Sequence, residues 1–141
     1  MRKSSTLLTA LGAAALLVGG MAVAPQANAG PGKGGEMPSK KACAKATDPV
    51  VIGGCIATNR KKGNCMACHQ FKGLEKTRLQ AGNIAPPLVA MKKRYKSKAD
   101  LRAQIWDATK KNPNSMMPPF GRHEILSDKE IDYVTEWAWN L

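Results

Sequence analysis

Cys65-Met66-Ala67-Cys68-His69 decides how this chain is read. Two thiols three positions apart lie on one side of a helical turn, placed to add to the two vinyl groups of one haem. The histidine that follows then points its imidazole at the iron from the same side. Three rival readings fit less well. Zinc needs a second ligand pair at metal spacing, and Cys43 and Cys55 stand twelve positions apart and form none. A thioredoxin-like redox pair sits at the strand-to-helix turn of a βαβ unit, a pattern this sequence lacks. A Cys65–Cys68 disulfide would strain the bridge geometry in so tight a loop. The pentapeptide is therefore read as a covalent haem site.

The surrounding chain has 141 residues, enough for one domain. It carries 22 Lys and Arg against 10 Asp and Glu, a formal charge of +12. Hydrophobic residues at 43% and charged residues at 23% argue against wholesale disorder. Residues 1–29 read as a cleaved signal peptide: Arg2 and Lys3, an uncharged run from Leu7 to Val23, then Ala27-Asn28-Ala29. An uncleaved anchor is the other reading, but Gly19-Gly20 interrupts the run and it is short for a span. Cleavage takes two positive charges and no negative ones, leaving a balance of +10. An exported, periplasmic protein without membrane insertion is expected, in a compartment where disulfides persist. Export plus an even cysteine count predicts a Cys43–Cys55 disulfide.

Residues 30–48, opening Gly30-Pro31-Gly32-Lys33-Gly34-Gly35, read as a flexible arm before a domain over 49–141. Val50-Val51-Ile52 is a short apolar run that Gly53-Gly54 is expected to break, with a short helix possible over 58–64. Two later helices are better marked. Ser97-Lys98-Ala99-Asp100 opens one with Leu101, Ile105 and Ala108 on a single face, ending at Asn112-Pro113. Ser127-Asp128-Lys129-Glu130 opens the other, with Ile131, Val134, Ala138 and Leu141 as its stripe. The class is all-α, and Trp106, Trp137, Trp139, Phe71 and Phe120 are expected to wall the haem or the helix crossing.

A six-coordinate electron-transfer haem needs a second axial ligand, and thioether sulfur raises its potential. Met117 is the first choice, because Pro118-Pro119 behind it fix the backbone. Met116 is the second, and either methionine also suits plain core filling. His123 reads as a loop histidine with a local hydrogen bond or, less readily, as a ligand. The ring of His69 needs a partner for its other nitrogen, and the stiff loop Ala85-Pro86-Pro87-Leu88 offers the Pro86 carbonyl.

Gly63-Asn64-Cys65-Met66-Ala67-Cys68-His69, a Pro-Leu loop, a methionine followed by prolines and a C-terminal amphipathic helix resemble the class I cytochrome c fold around one haem. Asn83-Ile84-Ala85-Pro86-Pro87-Leu88, Gln104-Ile105-Trp106-Asp107-Ala108-Thr109 and the stretch from Asn112 to His123 are similar to the SoxX family, the small cytochrome subunits of SoxAX complexes. The likeness covers residues 58–141. It implies one haem c on Cys65 and Cys68, with His69 and Met117 as axial ligands. It further implies a SoxA-like haem subunit as partner, on which thiosulfate is oxidatively joined to a carrier cysteine of a SoxYZ-like protein. The two electrons released pass through the SoxX-like haem to an acceptor cytochrome. Such a chain belongs to an L-cysteine S-thiosulfotransferase without carrying its catalytic residue. Gly53-Gly54 and the Cys43/Cys55 pair depart from the cleaner N-terminal helix expected there.

A free-standing cytochrome that shuttles electrons to a terminal oxidase is the competing function. A peroxidase needs an open iron position, which a bound Met117 denies. Nucleic acid is excluded as a partner by export and by basic clusters without interleaved aromatics. A positive face such as Lys92-Lys93-Arg94 instead steers an acidic partner.

Overall fold

The computed structural model describes residues 34–141; the signal-peptide reading and the first residues of the arm lie outside them. Among these residues the fold is helical, with α1 (Lys40–Ala44), α2 (Pro49–Thr58), α3 (Met91–Arg94), α4 (Lys98–Trp106) and α5 (Asp128–Trp139), joined by long loops. The one β-type contact is an isolated bridge between Phe71 and Leu88. No helix of the described residues is long and apolar enough to cross a membrane.

Helix α2 corrects the sequence reading. Asp48 caps it by accepting from the Val50 N–H at 2.8 Å, Pro49 takes its first turn, and it runs straight through Gly53-Gly54. Glycine inside a helix costs roughly 0.5–1 kcal/mol against alanine. Packing requires it here, because α2 crosses α5 with almost no gap. A Cβ on Gly53 would lie 1.9 Å from the Tyr133 carbonyl oxygen, and one on Gly54 2.9 Å from the Trp137 ring. The fully buried Ala57 continues the same small face. The helix expected over 58–64 is a turn instead, closed by Gly63 N–H to Ile56 O and Asn64 N–H to Asn59 O.

Helix α5 carries the complete capping box at Ser127 and Glu130, and buries Ile131, Val134, Trp137 and Ala138. Leu141 is half-buried. Trp137 meets Phe71 edge to face, with centroids 4.9 Å apart. Helix α4 begins at its Ser97 cap but stops at Trp106, short of the expected end. Asp107 turns extended there and caps a separate 3-10 turn, Ala108–Lys110. Arg102 joins α4 to α5 through Asp128 and Asp132, an exposed pairing worth little by itself.

The arm drawn over residues 30–48 is anchored near its start, although most of Lys40 to Lys45 stays exposed. Gly35 is buried against Asn140 with φ +65°, and the Glu36 carbonyl accepts from the Trp137 indole at 3.2 Å. The Glu36 carboxylate pairs with Lys72 and Lys76. Those contacts lie far off in sequence, so composition alone could not reveal them. A Cys43–Cys55 disulfide ties α1 to α2. Closing a loop of this length is worth about 3 kcal/mol. The Cys43→Ser/Cys55→Ser variant should lose that amount in chemical denaturation; an unchanged midpoint would mean that the bridge staples nothing.

Candidate functional site

The C-x-x-C-H segment is a tight turn. Asn64 enters it with φ 47°, a left-handed conformation that asparagine tolerates. The Cys65 carbonyl then accepts from the N–H groups of Cys68 and His69 at 3.2 and 2.9 Å. Both thiols and the imidazole thereby sit on one wall of a cavity of about 620 Å³. Cys65 and Cys68 are not bridged to each other. Burial pushes the Cys65 thiol up to about 12, whereas disulfide-exchange chemistry calls for a lowered value.

A second segment straps beneath this turn. Gly82, Ala85 and Leu88 donate their N–H groups to the carbonyls of Met66, Cys68 and Gln70. Gly82 lies so close that a Cβ there would sit 1.9 Å from the Ala67 oxygen. The strap carries the Pro86 carbonyl to within 2.6 Å of His69 Nδ1. A carbonyl only accepts, so Nδ1 bears the proton and the Nε2 lone pair is left for a metal.

Both methionines of the 112–125 loop line the cavity. Met117 is half-buried and packs against the core cluster, while Met116 is 81% exposed. Ser115 Oγ accepts from the Met117 N–H at 3.2 Å. His123 is exposed and lies outside the cavity lining, and its backbone N–H donates to Pro119 O. Phe120 and Trp137 are buried in the cavity wall; Phe71 lies behind it, against Trp137 and bridged to Leu88.

The model of the cytochrome c family matches residues 57–141, more than half of the chain. The chain belongs to the cytochrome c family. A search among curated proteins returns no match. Membership brings with it the all-α class I cytochrome c fold, electron transfer and covalently bound haem c.

The residues present fit that group. A cavity of about 620 Å³ falls inside the roughly 300–1,000 Å³ typical of sites for small molecules and cofactors. Its donors are two free thiols, an imidazole with its tautomer fixed, and thioethers on a separate loop. Arg60, Lys62 and Arg94 supply positive charge at its edge. The sequence motifs reveal the cysteines, His69, the proline strap and the methionine loop. They do not reveal Gly82, whose close approach is purely tertiary, nor the corner at Trp106-Asp107 described below.

Proposed function

We propose that this cytochrome is a SoxX-type monohaem subunit, exported to the periplasm. Cys65 and Cys68 would hold one haem by thioethers, and His69 and Met117 would ligate its iron. When bound, haem supplies a one-electron carrier at a fixed place. The chain's own residues set its behaviour. The Pro86 carbonyl holds the His69 ring in one orientation and one tautomer. The Met117 thioether favours a raised potential, and buried walls such as Leu101, Ile105 and Phe120 keep water out.

The observation carrying this reading is the pairing of Cys65-Cys68-His69, braced by Pro86, with the half-buried Met117 on a separate loop lining the same cavity. The likeness of Asn112–His123 and Gln104–Thr109 to SoxX proteins directs it toward sulfur oxidation. Joining thiosulfate to a carrier cysteine thiol breaks the S–H bond, forms one S–S bond, and releases one proton and two electrons. A SoxA-like haem subunit would perform that step on a SoxYZ-like carrier, and this chain would relay the electrons to a soluble acceptor cytochrome. Exposed Ile84 and Met116, with basic Arg60 and Arg94 at the cavity edge, suit docking against such partners.

Native purification from the source cells tests the reading. A second haem-bearing chain should co-purify, and thiosulfate with the carrier protein should reduce this haem. A lone chain that exchanges electrons only with an oxidase, unmoved by thiosulfate, would overturn it in favour of the shuttle.

A further inference from the structure

Asp107 takes no part in the site as described, yet its side chain is only 1% exposed. Leaving a carboxylate in such a place is costly unless its oxygens are matched. Oδ1 accepts from the Thr109 N–H at 3.0 Å and the Thr109 hydroxyl at 2.5 Å, capping the turn Ala108–Lys110. Oδ2 has no hydrogen-bond partner, but lies 3.2 Å from Arg122 Nη1. That contact is one of charge rather than an aligned hydrogen bond. Arg122 also donates to the Thr109 hydroxyl oxygen at 3.3 Å. The Thr109 hydrogen bonds hold the Asp107 carboxyl below its ordinary range despite burial, so it is ionised at neutral pH.

The two oxygens therefore serve opposite ends of one loop. Upstream, the capped turn leads on through Asn112 N–H to Ala108 O at 3.1 Å and Ser115 N–H to Asn112 O at 2.9 Å. The chain of contacts ends at Met117, whose N–H is held by Ser115 Oγ. Downstream, Arg122 stands five residues past Met117, across two prolines whose fixed φ transmits position. The same corner grips Gly121. Its N–H donates to Trp106 O at 3.0 Å, and a Cβ there would lie 2.0 Å from the indole.

We infer that Asp107 is a positioning residue whose carboxylate closes the 108–122 loop at both ends and so holds the Met117 thioether at the haem iron. The inference rests on Met117 being the distal ligand. Asparagine at 107 keeps the Oδ1 acceptor and removes the charge that faces Arg122, which loosens the downstream end while the Arg122–Thr109 and Gly121–Trp106 hydrogen bonds stay.

The experiment titrates the ferric holoprotein with imidazole, which binds iron only when the thioether leaves. Asp107→Asn should raise the apparent imidazole affinity about tenfold, or about 1.4 kcal/mol. Arg122→Gln, on a half-exposed side chain, should do the same and provides the test if Asp107→Asn does not fold. Arg122→Lys should restore most of the parent value. The double variant should add little to Arg122→Gln, because the contact between Asp107 and Arg122 is already lost there. Glu136→Gln, which breaks the separate pairing with Lys98, should leave the affinity at the parent value. A residue that merely stabilised the fold would lower the unfolding midpoint and leave imidazole affinity unchanged. Parent-like affinity in both Asp107→Asn and Arg122→Gln, beside raised affinity in Met117→Ala, overturns the clamp alone. Parent-like affinity in Met117→Ala overturns the ligand assignment and the clamp with it.

Discussion

Met117→Ala is expected to abolish the weak far-red iron–sulfur charge-transfer band of the oxidised protein while the haem stays covalently attached. On the proposed function, attachment depends on Cys65 and Cys68, which belong to a different segment of the cavity lining from the methionine loop. The reduction potential should fall by roughly tenths of a volt, within the ~0.8 V range that axial ligands command. The direction follows from losing a thioether, which favours ferrous iron. Met116→Ala should keep both band and potential, since that side chain is 81% exposed and Met117 is the one packed on the core. Optical spectra and a potentiometric titration of the two variants decide the matter. Loss of the band in Met116→Ala, with Met117→Ala intact, would reverse the assignment.

The second large effect lies at the helix crossing. Gly53→Ala places a methyl 1.9 Å from a backbone oxygen of α5, which cannot rotate aside as a side chain can. Either the helices part or the crossing rotates, and both options uncover Ala57, Ile131 and Trp137. Overpacking of this kind costs about 1–3 kcal/mol and occasionally more, against a gain of about 1 kcal/mol in helix propensity. A net loss of about 2 kcal/mol in denaturant unfolding of the holoprotein is expected, the top of that range, because backbone rather than side chain must yield. Gly54→Ala should cost less, since its nearest neighbours are the Pro38 and Trp137 side chains at 2.9 Å. Equal midpoints for Gly53→Ala and the parent would mean that α2 and α5 do not cross where described.

These two sites also show what the sequence reveals and what it hides. The chemistry of C-x-x-C-H is local: spacing alone puts two thiols and an imidazole on one turn, and the structure adds only the strap that braces them. The stripe of α5 is local in the same sense, with its capping box and its periodic Ile131, Val134 and Ala138. Gly53-Gly54 reads as a breaker because glycine propensity is a single-chain property. Its real reason, the passage of α5 within contact distance, belongs to residues eighty positions away. The anchoring of the segment from residue 34 to 48 is hidden for a like cause, since Glu36 finds Lys72, Lys76 and Trp137 only in the folded state. Ala108 continues the apolar spacing of α4 in sequence, yet the chain turns at Asp107 because that carboxylate caps a new turn.

The charge pattern divides similarly. Counting residues gives a basic chain, but not which charges are spoken for. Lys62 pairs with Glu130, Lys98 with Glu136 and Arg102 with two aspartates. Arg60 and Arg94 remain at the cavity edge, beside exposed Ile84 and Met116. A partner is thereby offered apolar contact with a positive border, an arrangement suited to fast, salt-sensitive encounter.

The most direct measurement is the intact mass of the mature protein, purified from cells able to attach haem and denatured before weighing. Cys65 and Cys68 form the one C-x-x-C-H in the sequence, so the mass should equal that of the processed polypeptide plus one haem. A mass equal to the bare polypeptide would contradict the account at its root.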